Sequence, residues 1–456
     1  MRTNLFWKIL DKLGFARLLF LFILPAGIVW AQEITLQEAF NTALQNNPDI
    51  RVALNNMQAA QNSAHPGNAG LLPSLNATAG VNYSETEPGG AGGPVSKSTF
   101  NSAGVELSYN LFNGFADINT WLKLQKQADY TSLLSRLNIE QTLLQVARGY
   151  YNLANAEENL RLSRESLTIS RERLQRIRHK AQFGQTNSID LLNAKVDYNS
   201  DSTAYLAAVL TVDEARRNLN TLLYRETDLP VSVNKLVEFE SLPPADSLLR
   251  LAEKANAAYL ASRKEKEIAG KNVAIANAAF LPKLNFKIGY GVNQTRTDFK
   301  PGFEDPATQT TASLNLSYNL FSGFQHKIAR QNAKLNLNSA EIRAQQQRLQ
   351  LEADVKNAYQ AYENSRFIYR VEEQNLKTAE LNFQRSRELY ELGQITSTQF
   401  REAQLNYFSA QSRWLNARYN AKLNELTLKQ LSGILLKDFP AETDRGSYLN
   451  PINRQD

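Results

Sequence analysis

The chain has 456 residues, is 21% charged and 43% hydrophobic, and carries a formal net charge of +6. With no Cys and only three His, it is excluded from disulfide frameworks, thiolate metal sites, thiol chemistry and lipid attachment through an N-terminal Cys, and it is poorly supplied for a His-based zinc site. A mean hydropathy of −0.42 excludes a bundle of membrane-spanning helices.

Residues 1–17 carry Arg2, Lys8, Lys12 and Arg17 against Asp11, an apolar run follows over residues 18–29, and Val29-Trp30-Ala31 closes on a small residue. That order is a secretory signal peptide, residues 1–31. An uncleaved anchor helix is the rival, but roughly 20 apolar residues are needed to span a bilayer and this run is shorter. Removing four bases and one acid leaves a mature chain near +3, so the pI of about 9.2 is weak support for nucleic-acid binding.

From there the chain is one unit written twice. Leu72-Pro73-Ser74-Leu75-Asn76 returns as Leu281-Pro282-Lys283-Leu284-Asn285, and residues 107–115 return almost unchanged as 316–324. Gly184-Gln185, Ser188, Ala194 and Tyr198 return as Gly393-Gln394, Ser397, Ala403 and Tyr407, always 209 residues on, with no insertion from about residue 72 to 222. The units are residues 32–224 and 245–433, with a linker at 225–244 and a tail at 434–456.

Each unit opens on a helical stretch, about 36–70 and 246–279, and Asn46-Asn47-Pro48 predicts a break in the first. Two strands follow. Leu75, Ala77, Ala79, Val81 and Tyr83 alternate with polar or small residues, as do Val105, Leu107, Tyr109 and Leu111. The second copy repeats this in Leu284, Phe286, Ile288, Tyr290 and Val292, and in Leu314, Leu316, Tyr318 and Leu320. One such strand fits a half-buried soluble sheet. Four of transmembrane length fit barrel strands, apolar to lipid and polar to the lumen. The Gly- and Pro-rich loops 87–94 and Lys300-Pro301-Gly302-Phe303 then face the outside of the cell. About eight strands are needed to fill a closed barrel, so four that span a membrane require an oligomer, and three chains give twelve.

Residues 116–182 hold no Pro and one Gly, Gly149, and 325–390 hold neither, so each predicts a helix of about 100 Å. Return helices run over about 189–224 and 399–431, and heptad-like spacing such as Leu137, Leu144, Tyr151 predicts packing on two sides in a coiled-coil wall. The basic run 171–180 reads as solvated helix surface near a C-terminus, with partner docking as the alternative. Gly184 and Gly393 supply left-handed helix ends, and Ser188 and Thr396 are the expected N-caps of the return helices.

The duplicated strand–strand–helix–helix unit resembles the TolC-like outer-membrane efflux family over about residues 36–433. The specific marks are the two Leu-Pro-x-Leu strand entries, the two Asn-Leu-Phe-x-Gly-Phe strand-to-helix passages at 110–115 and 319–324, and the Gly-centred turns at 183–188 and 392–397. The resemblance implies a mixed membrane α/β fold: four transmembrane β-strands per chain in a twelve-stranded barrel, continued by a coiled-coil periplasmic tunnel in a homotrimer. It implies a passive duct in the outer membrane of a Gram-negative bacterium, in contact with outer-membrane lipid, a periplasmic adaptor and an inner-membrane pump, with no nucleic acid, cofactor, metal or enzymatic activity. Gly184, Gln185, Ser188, Gly393, Gln394 and Ser397 match the adaptor-docking turns. Asp190 and Tyr390 match gate residues, while Gln399 and Glu402 stand where relatives carry two rings of acids. Ile395 stands where some relatives place a base, so the resting tip is held less firmly or by other contacts. The alternatives are the outer-membrane part of type I protein secretion and, in a different class, a trimeric surface structural protein or adhesin. A periplasmic adaptor lacks the four amphipathic strands, and no nucleophile–base pair or phosphate loop supports an enzyme.

Overall fold

Thr35 starts the first helix by a capping box with Glu38, whose carboxylate accepts the Thr35 N–H at 2.7 Å. In the computed structural model, which describes residues 33–87, 95–298 and 302–438, a two-residue strand β1 (Glu33–Ile34) precedes α1 (Leu36–Asn46) and α2 (Pro48–Ser63). Residues 1–32, which hold the expected signal peptide, and residues 88–94, 299–301 and 439–456 lie outside the described residues.

The break between α1 and α2 is built by one side chain. Asn47 accepts the N–H of Asp49 (2.9 Å) and Ile50 (3.3 Å) and donates to the Leu222 carbonyl at 2.8 Å. Its counterpart 209 residues on, Asn256, accepts the Tyr259 N–H and donates to the Leu431 carbonyl, both at 2.9 Å. The stretch 246–279, read as one helix, is therefore two: α5 (Ala245–Ala255) and α6 (Ala257–Ala278). No proline marks this second break, because the asparagine cap is what makes it.

Four antiparallel strands, β2 (Ser74–Thr86), β3 (Ser96–Asn113), β5 (Lys283–Thr297) and β6 (Ala307–Ser317), pair in the order β2-β3-β5-β6. Val105 lies opposite Ala77 on one side and Tyr290 on the other. The predicted parity holds in the register: Leu75 lies opposite Leu107, Leu107 opposite Ile288, Phe286 opposite Leu314 and Leu284 opposite Leu316, so the apolar residues share one face, and Leu75, Leu314 and Leu316 are exposed on it. Glu106 and Lys287 pair across β3 and β5 at 3.1 Å on the polar face. β6 stops at Ser317, short of the Leu320 to which the alternation runs, and β2 and β6 are open edges.

At Gly114-Phe115 and Gly323-Phe324 the backbone turns through consecutive left-handed residues (φ 59–66°) into α3 (Ala116–Gln182) and α7 (Gln325–Glu391). Each has 67 residues, about 100 Å of helix. They fold back through α4 (Ser188–Leu222) and α8 (Ser397–Leu431). α3 packs on α4 and on α8, and α8 packs on α7, so the four lie in the order α4-α3-α8-α7. No helix among the described residues is long and apolar enough to cross a membrane.

The main core lies midway along the helices, where α1, α2, α4 and α8 meet α3 around Leu143, Leu153, Leu219 and Leu415. Residues 225–244, read as a linker, are a strap in this core. β4 (Ser232–Val233) pairs in parallel with β1, Val231 and Val233 are buried, and the Tyr150 hydroxyl reaches the carbonyls of Asn234 (2.8 Å) and Ile34 (3.0 Å). The start of the tail joins it too, through buried Leu435.

Candidate functional site at the hairpin tips

Both tips end their first helix alike. Gly184 and Gly393 are left-handed (φ 66° and 74°), and the next N–H, of Gln185 or Gln394, bonds back to the carbonyl of Lys180 or Leu389 at 2.8 Å. This six-to-one closure needs the positive φ that glycine adopts without strain. Gly184, Gln185, Ser188, Gly393 and Gln394 are exposed, and Ser397 is half-buried.

The caps differ from expectation in one copy. Ser188 is the first residue of α4, not its cap; Asn187 is the cap and accepts the Asp190 N–H at 2.8 Å. An Asx side chain one residue earlier reaches the same orphan donor, so either residue fitted the spacing. In the other copy Thr396 is the cap as expected, and Gln399 completes a capping box by accepting the Thr396 N–H at 2.9 Å.

The gate candidates do not form one cluster within the chain. Asp190 accepts from the Thr186 hydroxyl at 3.1 Å, inside its own turn. Tyr390 stacks on Phe400 at 4.8 Å and lies under the Arg176 guanidinium, and among the described residues no hydrogen bond joins it to Asp190. Phe400 also stacks on Phe383, which stacks on Tyr407 at 5.2 Å, giving an aromatic column between α7 and α8. Glu402 is exposed, with no ion-pair partner among the described residues.

A buried ionic cluster above the tip was not singled out in the sequence. Arg401 of α8 donates two parallel bonds to Asp201 of α4, at 2.7 and 2.8 Å. Arg173 of α3 pairs with Asp197 of α4 and reaches the Ser397 carbonyl at 3.4 Å. Gln404 and Asp201 both bond to Ser166. Asp201, Arg401 and Arg173 are all buried. Burial would raise the Asp201 carboxyl, but the hydrogen bonds and charge of Arg401 outweigh it and hold the group below the usual carboxylate range. The cluster joins the first hairpin to the second. The solvated reading of the run 171–180 holds at Arg171, Arg176, Arg178 and Lys180, which are exposed, and fails at Arg173, which is buried in this cluster. A signal existed: 209 residues on, Asp201 becomes Ala410, a buried alanine, so an acid occupies a core position.

No group of three or more metal-binding side chains occurs among the described residues. The profile of the outer membrane efflux protein family matches residues 39–223 and 248–434, the two repeats. The chain is 22% identical over 431 residues to outer membrane protein TolC of Vibrio cholerae, covering 92% of this chain and 95% of that one. It is 21% identical to the cation efflux system protein CusC of Escherichia coli K12, over 85% and 83% of the two chains. Its fold superposes on the Campylobacter jejuni CmeC outer membrane channel with a TM-score of 0.76 at 18% identity, covering 88% and 86%.

Proposed function

The chain belongs to the outer membrane efflux protein family, whose members are passive ducts and not enzymes, and we propose that it works as a homotrimer whose sheets close a twelve-stranded barrel over a helical tunnel. The observation that carries the trimer is that the chain is left open, in equivalent ways, on both flanks. The sheet ends on β2 and β6, and the helices end on α4 and α7. Each outer helix bears an exposed apolar stripe: Ile189, Leu192, Val196, Leu206 and Leu210 on α4, and Ile328, Leu335, Ile342 and Leu349 on α7. Unpaired strand edges in lipid cost several kcal/mol per group. A second copy supplies what is missing, because β2 is the repeat equivalent of β5, and β6 that of β3.

The same relation accounts for the short β6. Beyond Ser108, β3 bonds only to β5, and the equivalent partner for Tyr318 onward is β2 of the next protomer. Substrate then passes from a periplasmic adaptor and inner-membrane pump, docked at the turns around Gly184 and Gly393, to the outside. The gate is assigned to Asp190, Tyr390, Gln399 and Glu402 near the tips, with the Arg401–Asp201 clasp above them. Gln399 serves the helix cap, which leaves Glu402 as the exposed acid on that helix.

Two experiments test this reading. Purified protein in a planar bilayer forms ion-conducting trimers, and absence of any conductance sinks the duct. A single Cys at Gln185, in a chain with none of its own, crosslinks in living cells to an adaptor. Labelling of that Cys by an impermeant reagent from outside the cell reverses the assignment of the tips.

A further inference from the structure

The two hairpin tips are one sequence unit 209 residues apart, yet their charges differ. Residues 171–183 hold Arg171, Arg173, Arg176, Arg178 and Lys180 against Glu172, a formal +4, while residues 380–392 hold Arg385 and Arg387 against Glu380, Glu388 and Glu391, a formal −1. Pairing widens the gap. In the second tip Arg385 meets Glu388 at 3.2 Å and Arg387 meets Glu391 at 3.3 Å. In the first, Arg173 is turned inward to Asp197, and Arg171, Arg178 and Lys180 are exposed with no acidic partner among the described residues. Phe183 crowns this collar, 76% exposed.

Compensation of the helix dipole accounts for Lys180, in the last turn of α3, and not for the rest of the collar. That effect is confined to the last turn, and Arg171 lies three turns before the end of α3. The equally long α7 ends with no base in its last turn and with Glu388 and Glu391 close by. The sheet proposed to lie in the outer membrane is about 100 Å away along the helix, so the collar does not face that membrane's headgroups.

We propose that the tip of the first hairpin is the docking surface for an acidic α-helical hairpin of the periplasmic adaptor, with Phe183 as its apolar anchor, and that the second tip is not an equivalent site. This rests on the trimeric duct described above. Around that trimer three basic tips alternate with three weakly acidic ones, so a ring of identical adaptor hairpins meets two unlike surfaces. The charge steers the encounter and sets which tip is engaged, and Phe183 supplies burial once engaged.

The test uses the full-length trimer in lipid nanodiscs and two synthetic helical hairpins, one with Glu and one with Lys at its tip positions. The acidic hairpin binds about tenfold more tightly than the basic one, and the preference shrinks as salt is raised. Arg171→Glu, Arg178→Glu and Lys180→Glu together abolish the preference, while Glu380→Lys, Glu388→Lys and Glu391→Lys together leave it in place. Equal binding of the two hairpins overturns the proposal, as does a first-tip variant that binds like the parent. Binding of phosphatidylglycerol vesicles that the acidic hairpin fails to displace overturns it in favour of a lipid surface. Bilayer conductance of the unsubstituted trimer is recorded alongside: an intact pore without charge preference sinks only the docking assignment, whereas no pore sinks the duct itself.

Discussion

Arg401 and Asp201 tie the second hairpin to the first through one side-chain pair. Each is buried, and each satisfies the other through two parallel hydrogen bonds between hairpins. Removing one partner strands the other charge away from water, a loss of about 3 kcal/mol in buried pairs. Arg401→Gln is therefore expected to loosen the second hairpin from the first, raising single-channel conductance and lowering the thermal midpoint of the trimer. Arg401→Asp combined with Asp201→Arg recovers part of both. Unchanged conductance in Arg401→Gln, with the trimer intact, removes the clasp from the gate. The pH dependence has a definite sign. Asp201 is held below the usual carboxylate value, so its contribution is complete above the unfolded value near ~3.9 and is lost as pH falls through the depressed one. The stability that Asp201 contributes, read as the difference between the parent and Asp201→Asn with Arg401 in place, is expected to be the same at pH 7 as at about pH 5. A decline already between those values contradicts the assignment.

At the scale of elements, Asn47 and Asn256 are the same device in two copies. Each caps one helix and ties its turn to the end of a return helix, at Leu222 or Leu431. Loss of an N-cap costs about 1 kcal/mol and a stranded buried carbonyl about 1–3 kcal/mol. Asn47→Ala and Asn256→Ala are each expected to destabilise by about 2 kcal/mol, read as matching drops in urea midpoint followed by circular dichroism. A large drop in one and none in the other breaks the equivalence. These elements also mark how far the sequence could be read. The long helices and the alternating strands were legible because period and parity are local properties. The Asn256 break was missed because it lacks the proline that announces Asn47-Pro48, although the repeat register already pointed to it. The strap 225–244 read as a linker because Val231 and Val233 are too few to show a pattern; their burial depends on α3 and β1, far away in sequence. The turn glycines of the site were legible from the left-handed ends they provide. The ionic cluster was legible only at Asp201, an acid at the repeat position of buried Ala410, since its partners on α3 and α8 share no spacing with it.

For the whole molecule, duplication turns contacts seen inside one chain into contacts expected between chains. In the chain, Val105 of β3 lies opposite Tyr290 of β5. Moving the first residue forward and the second back by one repeat predicts that Leu314 of β6 lies opposite Val81 of the next protomer's β2. Both are now exposed, at 63% and 72%, on the apolar face. The same operation predicts that Phe321 falls opposite Leu75 of the neighbour, across the equivalent of the irregularity between Asn110 and Phe112, where Phe112 meets Leu284. Register in a strand pair is strict because a one-residue slip turns every side chain to the other face. Leu314→Cys together with Val81→Cys is expected to yield a covalently closed trimer on oxidation in the membrane. Leu314→Cys with Leu75→Cys is expected to stay open, its partners lying roughly six residues, or about 20 Å, out of register. The chain has no cysteine of its own, so every disulfide seen on a non-reducing gel comes from the pair introduced. Closure by the second pair and not the first shows that the protomers meet in a different register from the repeats. Closure by neither shows that the two open edges do not meet.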